Sequence, residues 1–255
     1  MNKLDLLNPV TRLGISFLLL IPILFTLDWV SATTMLVAQL VVFILLGVPL
    51  GNLARRLGPI LIAAPIAAVS MLLYGRPGGE IYFQWGLITI SEWSVQLGIA
   101  VLIRVFALAI SALVLISDLD TTSLADGLSQ VAKLPARFVL GSLAGMRMIG
   151  LFVSDWRTMT YARRARGLDG KFKRYLTMAF ALLVFAIRRG TKLATAMEAR
   201  GFSSESAKTR TWARESKLSW YDLVGVLVAF GVCILAVFTA IQAGTFWLVW
   251  TQAPN

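Results

Sequence analysis

The sequence predicts an all-α, polytopic membrane protein. Of its 255 residues, 58% are hydrophobic and only 15% are charged, whereas a soluble domain is about 45–50% apolar and about 25% charged. The apolar residues are gathered in long runs, and most basic residues lie between these runs. We therefore expect about five transmembrane helices together with a cytoplasmic module of long amphipathic helices.

Five apolar runs approach the roughly 20 residues that a helix needs to cross a hydrocarbon core of about 30 Å. They divide the chain into transmembrane helices 1–4 within residues 1–116, an insert at 117–221, and a last span with an external C-terminus at 222–255. The predicted spans are Leu13–Leu27, Met35–Leu50, Leu57–Tyr74, Val95–Ile116 and Leu223–Ile241.

The basic residues predict the orientation of these spans in the cell membrane. Residues 1–12, 51–56 and 117–221 carry 22 of the 24 Lys and Arg, whereas Arg76 stands alone in the connections on the other side. Because connections rich in Lys and Arg stay in the cytoplasm, we expect a cytoplasmic N-terminus and an external C-terminus. Five tryptophans then form an interfacial belt at the outer surface: Trp29, Trp85, Trp93, Trp247 and Trp250.

The remaining basic residue, Arg104, lies inside the fourth predicted span. A charge at that depth costs about 2.5–3.5 kcal/mol even on insertion scales. Two interpretations are open. The helix is shifted in depth and Arg104 reaches an interface, or Arg104 is buried and binds carbonyl groups or a partner membrane subunit.

The insert is predicted to form three helices, because its apolar residues recur at intervals of three or four. We place them at Thr121–Lys133, Ala136–Arg166 and Phe172–Arg200. The second and third are long and end alike, with arginines 34 positions apart: Ala165-Arg166-Gly167 and Ala199-Arg200-Gly201.

Each tripeptide has a physical interpretation. Glycine after a helix can adopt the left-handed cap conformation, and arginine in the last turn is stabilised by the helix dipole. Such an end would fit an acidic pocket on a partner protein. The alternative is that Ala-Arg-Gly is an ordinary helix ending that occurs twice by chance.

Several kinds of chemistry are excluded by composition. The chain has no histidine and one cysteine, Cys233, which we expect in the core. This excludes a disulfide framework, Cys/His metal sites and histidine acid–base catalysis. Gly170-Lys171 lacks the upstream glycine of a phosphate-binding loop, so the chain itself is not expected to hydrolyse ATP.

The acidic residues Asp118, Asp120 and Asp126 are not followed by the residues that a membrane CDP-alcohol phosphotransferase requires. We expect them to cap the start of a helix instead. The sequence therefore predicts no catalytic residue, no metal, no cofactor and no nucleic-acid partner.

Four features of the sequence resemble the transmembrane T component of energy-coupling factor transporters. Leu7-Asn8-Pro9-Val10-Thr11-Arg12 is similar to the family's Asp-Pro-Arg-Thr-Lys opening, from which Asn8 and Val10 depart. Leu134-Pro135-Ala136-Arg137 resembles the Leu-Pro step before the first coupling helix, and the two Ala-Arg-Gly tripeptides match the family's paired motifs. The resemblance covers nearly the whole chain.

The resemblance implies a complex with two ABC ATPases and a substrate-binding membrane (S) subunit. Each Ala-Arg-Gly motif would dock in a groove of one ATPase, and the long coupling helices would transmit ATP-driven motion to the S subunit, which releases a vitamin or metal ion inward. Two alternatives remain: a permease subunit of another ABC system, and a membrane-anchored scaffold that recruits acidic cytoplasmic partners.

The predicted orientation can be tested by cysteine labelling in a Cys233→Ala background. A membrane-impermeant maleimide should label Thr251→Cys in intact cells and should label Ser204→Cys only after permeabilisation, because the insert carries 18 of the 22 basic residues on its side of the membrane. Labelling of Ser204→Cys but not of Thr251→Cys in intact cells would refute the orientation.

Overall fold

The computed structural model describes residues 3–26, 28–48, 50–75, 78–85, 88–167, 173–202, 211–212 and 214–244. The chain forms two compact units, one of Met1–Asp120 with Lys217–Asn255 and the other of Thr121–Ser216. Some residues used in the predictions above lie outside the described residues: Leu27, Arg76, Gly170, Lys171, Phe172, Ser204, Trp247, Trp250 and Thr251.

The described elements are almost all helical, which confirms the predicted all-α class. A 3₁₀ helix at Lys3–Leu6 precedes the first long helix. In chain order the others are α1 (Pro9–Phe25), α2 (Trp29–Leu45), α3 (Leu50–Arg56), α4 (Gly58–Tyr74), β1 (Ile81–Trp85), β2 (Ile88–Ser91), α5 (Glu92–Ile116), α6 (Thr121–Gln130), α7 (Ala136–Ala165), α8 (Lys173–Ala199) and α9 (Trp220–Gln242).

The five predicted spans correspond to α1, α2, α4, α5 and α9, which all belong to the first unit. Among the described residues, α5, α7 and α9 are long and apolar enough to cross a membrane, and α1, α2 and α4 are shorter apolar helices of 17 residues. The antiparallel hairpin of β1 and β2, between α4 and α5, was not predicted.

The first unit has a core of apolar side chains from α1, α2, α5 and α9. Ala107, Ala236 and Met35 are almost completely buried, and small residues let these helices approach closely. Cys233 is buried and its thiol donates to the carbonyl of Leu18 at 3.5 Å, so its predicted place in the core is confirmed. Large apolar side chains such as Phe17 face outward, as expected for helices surrounded by lipid.

The N-terminal motif connects the start of α1 to the start of α9. The side-chain oxygen of Asn8 accepts from the N–H of Val10 at 3.0 Å and caps α1, with Pro9 as its first residue. The buried carboxylate of Asp222 accepts from the N–H of Asn8 at 2.7 Å and from the N–H of Ser219 at 2.6 Å. The amide of Asn8 also donates to the carbonyl of Lys217 at 3.2 Å.

The acidic residues near residue 120 are placed differently from the prediction. Asp118 is not a helix cap, because its carboxylate accepts from Arg56 at 3.0 Å. Asp126 lies inside α6, and only Asp120 directly precedes that helix at Thr121. No group of three or more metal-ligating side chains occurs among the described residues.

The second unit begins with α6, which is attached to the segment that ends the unit. The side chain of Gln130 donates to the carbonyl of Arg214 at 2.8 Å and accepts from the N–H of Ser216 at 2.9 Å. Arg214 donates to the hydroxyl of Ser123 at 2.9 Å. The chain then turns at Lys133, which has a positive φ of 54°, and Pro135 starts α7 as the Leu-Pro step suggested.

The contact between α1 and α9 leads to a stability prediction. Asp222→Ala would leave the N–H groups of Asn8 and Ser219 without their acceptor, and we expect a loss of about 2–4 kcal/mol, since each stranded buried donor costs about 1–3 kcal/mol. Unfolding of the full chain in mixed detergent micelles, titrated with sodium dodecyl sulfate, measures this loss.

The matched control is Asp118→Ala, which removes an exposed ion pair with Arg56 and should cost less than about 1 kcal/mol. Equal destabilisation by both substitutions would show that Asp222 does not hold the two helix starts together.

Candidate functional site

The two Ala-Arg-Gly tripeptides lie where the two long helices of the second unit end. α7 ends at Ala165 and α8 ends at Ala199, one residue before each arginine. All six residues of the tripeptides are exposed. The sequence therefore placed both motifs correctly at helix ends, one residue from the predicted helix boundaries.

The glycine of each tripeptide ends its helix in the left-handed conformation. Gly167 has a φ of 66° and Gly201 a φ of 74°, which is the region that glycine enters without steric cost. The N–H of Gly201 donates to Glu198 at 2.9 Å, and the N–H of Phe202 donates to Met197 at 3.0 Å. These two bonds form a complete Schellman cap.

The first tripeptide repeats this geometry as far as the structure describes it. The N–H of Gly167 donates to the carbonyl of Arg164 at 3.0 Å, which is the bond that corresponds to Gly201 and Glu198. The two motifs thus share a place at a helix end, a glycine conformation and the hydrogen bond that this glycine donates.

The arginine side chains are the chemically available part of each motif. Arg166 and Arg200 are exposed, and neither has a side-chain hydrogen bond or ion pair among the described residues. Each guanidinium is a permanent positive charge with a planar set of donors that can bind a carboxylate through two parallel bonds. The helix dipole adds partial negative charge beside it, which stabilises the arginine at this end.

The helices α7 and α8 contact each other through a polar and an aromatic pair. Arg189 donates to both carboxylate oxygens of Asp155, at 2.5 and 3.2 Å. The rings of Trp156 and Tyr175 stack with centroids 6.3 Å apart. If residues 156 and 175 belonged to one continuous helix, they would lie about 28 Å apart. Because their rings are only 6.3 Å apart, α8 must fold back across α7.

Most apolar side chains of these two helices remain uncovered within the chain. Of the α7 residues, which the structure describes completely, only Val139 is buried, and Met178 is the buried residue among those described in α8. The exposed apolar residues include Met146, Ile149, Val153, Phe180, Leu183 and Ile187. An apolar surface of this extent is typical of contact with a membrane or with another protein.

Arg104 lies in α5 and binds within the chain. Its guanidinium donates to the carbonyl of Thr26, the residue that ends α1, and it lies near the carboxylate of Asp28. Asp28 caps α2 by accepting from the N–H of Ser31 at 2.7 Å. The structure therefore agrees with one part of the second interpretation: Arg104 is partly buried and binds a carbonyl group of its own chain.

The sequence did not predict the ion pair of Asp155 and Arg189. One sequence signal could have suggested that Asp155 and Arg189 correspond to each other: they are 34 positions apart, which is also the spacing of Arg166 and Arg200. The partner of Arg104 could not have been predicted, since Thr26 lies 78 positions away and contributes a backbone carbonyl.

Known proteins resemble this chain over most of its length. The family described as cobalt transport protein, CbiQ, matches residues 1–211. The energy-coupling factor transporter transmembrane protein EcfT of Lacticaseibacillus paracasei is 26% identical over 90% of this chain and 92% of the relative. The proteins of the same name from Exiguobacterium sibiricum and Limosilactobacillus fermentum are 30% and 28% identical, over 73% and 72% of this chain and 76% of each relative.

The glycine cap of α8 leads to a stability prediction, in which Gly→Ala has opposite effects at the end and in the interior of this helix. Gly201→Ala should destabilise the end of α8 by about 1–2 kcal/mol, because a side chain is strained at a φ of 74°. Gly190→Ala, in the middle of the same helix with open space around its Cα, should stabilise by about 0.5–1 kcal/mol. Helix content followed by circular dichroism during thermal unfolding separates the two variants. A stabilising effect of Gly201→Ala would contradict the cap.

Proposed function

We propose a function from one premise: the chain belongs to the cobalt transport protein family and is the transmembrane T component of an energy-coupling factor transporter. It is a membrane component of a transporter and not an enzyme. From this premise we infer that it couples two ABC ATPases to a substrate-binding S subunit in the cell membrane. The cargo would be a vitamin or a metal ion, which this subunit need not contact.

One observation carries the proposal: two helices present the same exposed arginine beside a left-handed glycine that donates the corresponding hydrogen bond. The N–H groups of Arg166 and Arg200 donate to the carbonyls of Arg163 and Met197, and neither side chain has a partner among the described residues. Two equal positive groups on one chain fit two similar acidic sockets, as two ATPase subunits would provide. Each ATPase would accept one arginine through a bidentate pair with acidic side chains.

The helices behind the arginines suit the transmission of motion. α7 has 30 residues and α8 has 27, so they are about 45 and 40 Å long at 1.5 Å per residue. A helix moves as a stiff body over such a distance, whereas a loop would absorb the displacement. The exposed apolar side chains of α7 and α8 supply a surface on which a membrane-embedded S subunit could be moved.

Orientation follows the distribution of charge in this proposal. The arginines that meet the ATPases are in the insert, which carries most of the basic residues and would therefore be cytoplasmic. The N-terminus would lie on the same side and the C-terminus outside. Arg104 would serve within the membrane unit by satisfying the end of α1, and a contact with the S subunit is not needed to explain it.

The decisive experiment changes the two arginines separately and together. Arg166→Ala and Arg200→Ala should each abolish most substrate uptake and leave one ATPase attached, and the double substitution should release both. Truncating one partner of a desolvated charge pair at an interface costs about 2–5 kcal/mol, which at its upper limit weakens binding more than a thousandfold. Arg→Lys should rescue only in part, because an ammonium group lacks the guanidinium's planar set of donors.

The control is Arg188→Ala, which removes an exposed arginine from the same helix, twelve residues before Arg200. Uptake by cells and co-purification of the ATPases are measured for all variants. If both single Arg→Ala proteins transport normally, or if Arg188→Ala is equally harmful, the paired motifs are ordinary helix ends. Recruitment of acidic proteins without any ATPase would favour the scaffold function instead.

A further inference from the structure

The ion pair of Asp155 and Arg189 joins positions that correspond to each other in the two long helices. Both differences, 189 − 155 and 200 − 166, equal 34. Asp155 therefore precedes Arg166 by eleven residues, and Arg189 precedes Arg200 by the same number. Eleven residues span about 16 Å of helix, so each motif arginine lies the same distance along its own helix from the ion pair.

Neighbouring positions follow the same 34-residue correspondence. Ile149 corresponds to Leu183 and Val153 to Ile187, and all four side chains are at least half exposed. Ala162 and Ala196 also correspond, and both are exposed. At these positions the two helices carry similar side chains, whereas their charges are opposite where they meet.

The described contacts at the crossing include an ion pair and a stacked pair of rings. The carboxylate of Asp155 is 23% exposed and the side chain of Arg189 is 39% exposed, so water is partly excluded from the pair. Its two parallel hydrogen bonds fix direction as well as distance. The stacked rings of Trp156 and Tyr175 add apolar contact, but flat rings can slide, whereas a bidentate pair has one geometry.

We propose that Asp155 and Arg189 are positioning residues that fix the crossing of α7 and α8 and thereby hold Arg166 and Arg200 at equal reach. This inference rests on the proposed function, in which two ATPases act on the two arginines together. With the pair in place, the two helices move as one body, and displacement of either motif is passed to the other. Without it, each ATPase could still bind its arginine, but the motions would no longer be combined.

The test exchanges the two charges. Asp155→Arg alone and Arg189→Asp alone place like charges at the crossing, and the double exchange restores an opposite pair in reversed order. Nitroxide labels at Ala162→Cys and Ala196→Cys, in a Cys233→Ala background, report the distance between the two arms in the full chain. Arg188→Asp is the control, since it makes the same charge change at the neighbouring exposed residue.

We expect each single exchange to broaden or shift the label distance and to lower uptake by about tenfold, within the range of known coupling effects. Both ATPases should still co-purify, because Arg166 and Arg200 are intact. The double exchange should restore the distance and most of the uptake, and Arg188→Asp should change neither. Asp155→Asn, which keeps one acceptor and removes the charge, should give an intermediate distance distribution.

The inference is overturned if the single exchanges leave the label distance unchanged, or if the double exchange fails to restore both distance and uptake. A different result would overturn the proposed function instead: the unaltered chain would then fail to co-purify with two ATPases. Pull-down of the unaltered chain therefore separates the two failures.

Discussion

A helix end carries backbone groups that the helix cannot satisfy, and this constraint organises the described structure. Inside a membrane no water is available for these groups, so protein groups must meet the need. Arg104 supplies a donor to the carbonyl of Thr26 at the end of α1, and Asp28 supplies an acceptor at the start of α2. Asp222 serves two helix starts at once. Arg104, the charged residue inside a predicted span, is therefore one of the groups that satisfy a helix end.

The second unit meets the same need in another way, and the difference bears on function. α7 and α8 end on glycines whose left-handed conformation lets the backbone close on itself. Among the described residues no side chain caps these two ends, so the side chains of Arg166 and Arg200 are not used by the cap. In the first unit the polar side chains at helix ends are occupied by the fold. At the ends of α7 and α8 in the second unit, Arg166 and Arg200 have no side-chain partner among the described residues, as a docking surface requires.

Sequence reasoning succeeded where the determining pattern is local. The five apolar helices and the three helices of the insert follow from apolar runs and their spacing, and the helix ends at the paired motifs follow from a tripeptide that can be read directly. Sequence reasoning failed where a residue's hydrogen-bond partner is distant along the chain. Nothing in the sequence near Arg104 points to Thr26. Asp118 was expected to cap a helix, and its actual partner Arg56 could not be recognised because it lies 62 positions away. The short hairpin of β1 and β2 gave too little alternation to be recognised.

The crossing of α7 and α8 also suggests why both arms belong to one chain. In a symmetric homodimer, a residue that faces its own copy across the twofold axis meets an identical side chain, and two carboxylates or two guanidinium groups would repel. Within a single chain, corresponding positions can differ, as Asp155 and Arg189 do. The ends can then stay alike, with Arg166 matching Arg200, while the centre becomes complementary. Two like arginines joined through an unlike pair would suit the two ATPases of the proposed function.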